Sequence, residues 1–151
     1  MKIVSGGQTG ADRAALDFAI AHGIEYGGWI PKGRRAEDGP IPLRYSKLRE
    51  TITSAYPERT RKNVEDSDAT LIISHGELSG GSLLTKRIAF AAECPCLHLD
   101  LLANDFETAS RILKSWIERN TVNVINVAGP RASADPEIYE ATCHLLTLVF
   151  D

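Results

Sequence analysis

Three short segments of this chain place donors in the pattern that anion recognition needs. Gly6-Gly7-Gln8-Thr9-Gly10 follows Ile3-Val4, Ser79-Gly80-Gly81-Ser82 comes after the apolar run Leu71-Ile72-Ile73, and Gly129-Pro130-Arg131-Ala132-Ser133 follows the β-branched run Val122 to Val127. The first two each open a stretch with helical periodicity. At a strand-to-helix junction glycine lets the backbone approach an anion closely, and the free N–H groups and positive dipole of the helix start favour negative charge. In the third segment Arg131 can clamp a phosphate or carboxylate with two parallel hydrogen bonds, and Ser133 can donate from the following turn. The chemistry implied is binding of a phosphorylated small molecule.

Each segment also has a plainer reading. A glycine pair fits any tight turn, and Arg131 with Ser133 fits an exposed arginine beside an N-capping serine. Their joint position favours a ligand, because open parallel sheets bind beyond the carboxyl ends of their strands and all three segments fall there. Neither glycine turn is a P-loop or a G-x-G-x-x-G fingerprint. Asp12 and Arg13 lie in the first turn after Gly10. Asp12 complements the helix dipole, whereas Arg13 opposes it and so reads as an anion contact.

Lys32, Arg34 and Arg35 sit in a long loop, and Arg59 and Arg61 further on. Such charges are ordinarily only solvated, but Lys32 and Arg34 are candidate contacts to a ligand that the loop would cover. His75, at a strand's carboxyl end, reads equally as an acid, base or ligand contact and as turn packing. No Ser-His-Asp, H-E-x-x-H or paired-carboxylate constellation assembles from the sequence, so no catalytic residue is assigned.

Strands alternating with helices must position these segments. Strands are expected at Lys2 to Ser5, Ile24 to Ile30, Ala69 to Ser74, Cys96 to Leu99 and Val122 to Val127. Helices are expected at Ala11 to Ala21 with Gly23 as its C-cap, Thr60 to Ser67 as a turn or two, Leu83 to Glu93, and Phe106 to Arg119. A last helix starts at Pro136. Leu43 to Tyr56 reads as a broken helix. Pro31 to Pro42, rich in charge, Gly and Pro, must be a loop, and a loop this long in so small a unit is a candidate lid. The pattern implies an α/β three-layer sandwich with a mostly parallel central sheet covered on both faces.

The 151 residues, 43% of them hydrophobic, suit a single unit spanning 1–151. A formal net charge of −3 supplies no basic field to gather nucleic acid. No apolar run approaches the roughly 20 residues of a membrane helix and no leader opens the chain, so a cytoplasmic protein is expected. Three cysteines, Cys94, Cys96 and Cys143, are too few for a disulfide framework, and Cys94-Pro95-Cys96 has no second Cys/His pair at metal-binding spacing. No protein-ligated metal is expected. Trp29, Trp116 and Leu145 to Phe150 offer more apolar surface than one small sheet covers, which argues for a homodimer or higher homo-oligomer.

Ser5 to Asp17, Gly28-Trp29 to Pro42 with Gly33-Arg34 and Glu37-Asp38-Gly39, Arg59-Thr60 with Asn63-Val64, Ser67 to Thr70, and Gly129 to Ser133 together resemble the molybdenum-carrier family. That family belongs to the Rossmann-like, lysine-decarboxylase-like SLOG superfamily, and the resemblance spans nearly the whole chain. It implies a circularly permuted form, in which an element found near the start of relatives ends the last strand here. The strand ending at Val127 should then neighbour Lys2 to Ser5. As ligand the resemblance implies molybdenum cofactor, a phosphorylated pterin whose dithiolene holds the metal, or a related nucleotide. The superfamily's phosphoribohydrolases carry Pro-Gly-Gly-x-Gly-Thr-x-x-Glu with a catalytic glutamate. Aligning Gly80-Gly81 with those glycines places Leu83, Leu84 and Arg87 at the Gly, Thr and Glu. An arginine cannot serve as that carboxylate, so a carrier that binds without chemistry is favoured over a nucleotide-processing enzyme that cleaves N-glycosidic bonds.

Overall fold

The computed structural model describes residues 1–151. In chain order the elements are β1 (Lys2–Val4), α1 (Ala11–Ala21), β2 (Glu25–Ile30), β3 (Arg35–Ala36), β4 (Gly39–Pro40), β5 (Leu48–Glu50) and α2 (Tyr56–Glu65). They continue with β6 (Ala69–Ser74), α3 (Gly80–Ala91), β7 (Cys96–Asp100), α4 (Phe106–Arg119), β8 (Val124–Ala128) and α5 (Ile138–Phe150). Six strands form one sheet in the order β5-β2-β1-β8-β6-β7. Every pairing in it is parallel. With α1, α4 and α5 packed together and α2 packed on α3, the molecule is a Rossmann-like α/β sandwich.

The last strand lies against the first, Ile3 opposite Ile125, and on its other side pairs with β6, Leu71 opposite Val127. That is the neighbour relation a circular permutation requires. The two faces of the sheet differ in chemistry because side chains alternate along each strand. Ile3, Ala69, Leu71, Ile73, Ile125 and Val127 join Leu16, Leu113, Leu145 and Leu146 in the main apolar core. The alternate positions Thr70, Ser74 and Asn126 are buried and polar, with Asn126 donating to Thr70 Oγ1 at 3.3 Å. Along the strands Ile3 and Ile72 are fully buried, while Leu97 and Val124 are half-buried.

Five local expectations change. Leu43 to Tyr56 holds no broken helix but edge strand β5, paired with β2 through Gly28 and Leu48, preceded by turns around the fully buried Tyr45. Its fold is set by partners distant in sequence: Tyr45 Oη donates to Asp17 on α1 at 2.7 Å, as does Tyr139 of α5 at 2.6 Å. The Pro31 to Pro42 loop contains the hairpin β3–β4. Helix α2 begins at Tyr56, with Pro57 in its first turn. Gly80 and Gly81 are the first residues of α3 rather than a turn before it, and Pro136 lies two residues ahead of α5.

Candidate functional site

The carboxyl ends of β1, β6 and β8 open onto one cleft of about 600 Å³, within the range of small-molecule sites. Its walls come from the loop after β1 (Gly6, Gln8) with Asp12 of α1, the segment after β6 (His75, Glu77 to Ser82), the segment after β8 (Gly129 to Arg131, Asp135) and one side of α2. On α2, Tyr56, Arg59, Thr60 and Asn63 recur at helical spacing and share that side. The cleft thus lies on the polar side of the sheet, where Asn126 is part of its floor.

Of the expected ligand contacts, Gly6, Gln8, Gly80, Gly81, Ser82 and Arg131 line the cleft, as do Asp12, Arg59 and His75. Gly7, Thr9, Gly10, Arg13, Lys32, Arg34 and Ser133 do not. Gly10, at φ +81°, brings its backbone against that of the third segment; a Cβ there would lie 2.4 Å from the Pro130 carbonyl oxygen. Gly7 packs against Ile30 and Ile41. Arg13 donates to the Gly7 carbonyl and grips Asp38 with two hydrogen bonds of 2.5 and 2.7 Å. Arg34 donates to the carbonyls of Ile41, Pro42 and Tyr45 and so ties its own loop together. Lys32 is exposed, its backbone N–H on Thr53.

Thr9 and Ser133 are also engaged. Both hydroxyls donate to Glu37, at the tip of the β3–β4 hairpin, and the Ser133 N–H donates to the same carboxylate at 3.1 Å. Arg131 stands 3.9 Å from it. Hydrogen bonds from Ser133 and Thr9 hold the Glu37 carboxyl below its ordinary range, and Arg13 does the same for Asp38. The proposed lid is therefore latched by its own acids onto residues of the first and third segments.

Two donors at the cleft have no partner. Gln8 Oε1 accepts from the N–H groups of Thr9 and Glu37, at 3.1 and 2.9 Å, which fixes the amide and leaves Nε2 buried without an acceptor. Arg59 lies against Gly6, where a Cβ would meet its Nε at 2.6 Å, and that Nε is likewise buried and unpaired. Burial works against the charge on Arg59, opposed chiefly by the nearby Asp12. Asp12 is itself pushed up by burial, with Arg59 pulling the other way. Buried polar groups are ordinarily paired, and both of these orphan donors belong to residues that line the cleft.

A model of the circularly permutated YpsA SLOG family matches residues 3–150. The chain belongs to that family. This SLOG chain is also 57% identical to a protein from Syntrophus aciditrophicus SB named "Putative molybdenum carrier protein", whose crystal structure at 1.45 Å resolution superposes with a TM-score of 0.98. The match covers 99% of this chain and 94% of that one. (E)-4-hydroxy-3-methyl-but-2-enyl diphosphate reductase matches at 15% identity and a TM-score of 0.42, over 96% of this chain and 58% of that one, too distant to bear on the site. A search of curated proteins found no match.

In this SLOG chain α3 has no acidic residue, and Arg87, aligned with the phosphoribohydrolase glutamate, is exposed and outside the cleft lining. No group of three or more His, Cys, Asp or Glu is placed to hold a metal ion. Sequence reasoning undervalued Arg59, read as a solvated charge, and passed over Tyr56 and Asn126. The signal available was the polar stripe Tyr56, Arg59, Thr60, Asn63, legible only once the helix is started at Tyr56.

Proposed function

We propose that this protein binds and carries a phosphorylated heterocycle, molybdenum cofactor or a related nucleotide, without transforming it. The observation that carries the reading is the pair of buried, unpartnered donors, Gln8 Nε2 and Arg59 Nε, at the cleft where the three segments meet. Arg59, Arg131 and the N-terminus of α3 suit a phosphate there. These donors also fit molybdenum cofactor: its phosphate would take the arginines and the helix start, while its dithiolene brings the metal, so the protein need supply no metal ligand. A cleft of about 600 Å³ accommodates a pterin or a nucleotide.

The name of the Syntrophus aciditrophicus relative, at 57% identity, supports the molybdenum-carrier reading. The absence of any carboxylate on α3 favours binding over N-glycosidic hydrolysis. The protein acts as a single unit across residues 1–151, as a homodimer or higher homo-oligomer. It works in the cytoplasm, where its three unpaired cysteines are at home, with neither nucleic acid nor membrane as partner. No helix is long and apolar enough to cross a membrane. The test is calorimetric titration with molybdenum cofactor, adenosine monophosphate and guanosine monophosphate, beside a base-release assay on the two nucleotides. Binding of at least one without turnover is the expected result. Release of free base that is lost in Arg59→Met would replace the carrier reading with the hydrolase one, and no binding to any of the three would end both.

A further inference from the structure

His75 and Asp135 form a pair in the cleft that phosphate recognition does not use. His75 follows the last residue of β6, and its Nδ1 is 2.6 Å from Asp135 Oδ2, with both side chains largely shielded. Asp135 is held in turn: its other carboxylate oxygen accepts from the Glu137 N–H at 3.0 Å, and its own N–H donates to the Arg131 carbonyl at 3.0 Å. A carboxylate only accepts, so Nδ1 carries a proton, and in the neutral imidazole Nε2 is left as the acceptor. That Nε2 makes no hydrogen bond within the protein, and the residue lines the cleft.

We infer that His75 Nε2 is a specificity contact: the acceptor of a neutral imidazole, held in one tautomer by Asp135, that reads an O–H or N–H of the bound molecule. The inference rests on the ligand-binding reading of the cleft and adds what the ligand must offer besides phosphate. The two buried side-chain groups without a partner, Gln8 Nε2 and Arg59 Nε, donate, so they select acceptors. His75 selects a donor, and a ligand presenting both is chosen over inorganic phosphate or a simple phosphate ester. Two parts of a nucleotide could supply that donor, a ribose hydroxyl or an exocyclic amino group on the ring. A pterin has the second.

Asp135→Asn separates this role from structure. The asparagine amide can donate to Nδ1, which moves the imidazole proton to Nε2 and turns the acceptor into a donor facing the ligand's own donor. Guanosine monophosphate is titrated into both proteins, with its 2′,3′-dideoxy analogue and inosine monophosphate as parallel arms, and long-range ¹H–¹⁵N spectra report the His75 tautomer in the free proteins. The expected result is the Nδ1–H tautomer in the parent and the Nε2–H tautomer in the variant. With it should come about a tenfold weaker Kd for guanosine monophosphate and an unchanged thermal midpoint. The arm whose affinity no longer responds to Asp135→Asn identifies the donor, hydroxyl or amine. Equal affinities for guanosine monophosphate in the two proteins, or an Nε2–H tautomer in the parent, would overturn the inference and leave the cleft a ligand site. A parent that binds neither these probes nor molybdenum cofactor would remove the ligand site and the inference with it.

Discussion

At the scale of the residue, glycines of the same sequence type do opposite jobs. Gly10 is left-handed and pressed against the backbone of residues 130–132, whereas a Cβ on Gly81, in the first turn of α3, would meet nothing within 4 Å. Gly10→Ala should therefore cost about 2 to 4 kcal/mol by denaturant titration, from left-handed strain and a contact that cannot relax. Gly81→Val should change stability by less than about 1 kcal/mol while projecting a branched side chain into the cleft, and so weaken guanosine monophosphate or molybdenum cofactor by about tenfold or more. Equal stability losses in the two variants, or full affinity in Gly81→Val, would mean that the two turns have been told apart wrongly. Neither role was legible locally, because both glycines sit in similar strand-to-helix sequences. What separates them is the backbone that another strand brings alongside.

At the scale of the element, the β3–β4 hairpin is held by acids that grip the first and third segments. Glu37 and Asp38 sit below their ordinary values of 4.5 and 3.8. Their stabilising contribution is thus present above those values and lost as pH falls through the lowered ones. Asp12 has the opposite sign: its carboxyl is raised, so its contribution is present below 3.8 and is lost as pH rises through the raised value. Acidification should release the hairpin before the sheet, seen as loss of amide protection at residues 35–40 while β6 and β8 stay protected. The double variant Glu37→Gln/Asp38→Asn should show the released hairpin already at neutral pH, and hairpin protection that persists in it would show that the acids do not latch it. A covering loop was expected from its Gly, Pro and charge content. That Arg13, Thr9 and Ser133 would be its anchors was not, since a charged side chain reads the same whether its partner is a phosphate or a carboxylate 25 to 96 residues away.

At the scale of the molecule, the apolar residues that suggested self-association are mostly used inside the chain. Leu145 and Leu146 are buried, and Trp116, Val149 and Phe150 pack against the core. Trp29 lies between Arg49 and Lys62 and donates from its indole N–H to Asp66 at 2.7 Å. The large apolar side chains left outside include Phe90 on α3, 86% exposed, and Leu102 just after β7, 74% exposed, both near one end of the strand order. If the proposed homodimer forms, that side is one surface available for burial, and Leu43 and Ile52, each 80% exposed beside β5, mark another. Light scattering at micromolar concentration should then give twice the 16.5 kDa chain mass, with Phe90→Ser shifting it toward the monomer. A monomeric parent would contradict the homodimer.

The sequence by itself determined what depends on local pattern. Helices α1 and α4 and strand β6 fall where periodicity puts them, because apolar spacing, a capping glycine and a β-branched run act within a few residues of chain. The alternation of strands and helices decided the parallel sheet, and the three donor-rich segments fall together at its carboxyl ends. Only the tertiary structure decided which donors are free. Arg13, Arg34, Thr9 and Ser133 looked as available as Gln8 and Arg131, and they are spent on carbonyls and carboxylates. Edge strand β5, the side that α2 turns to the cleft, and the meeting of His75 with Asp135 across 60 residues were equally beyond local reading. Hydrogen-bond partners and sheet neighbours are chosen in space, and a donor's residue type does not say which acceptor folding will bring within 3 Å.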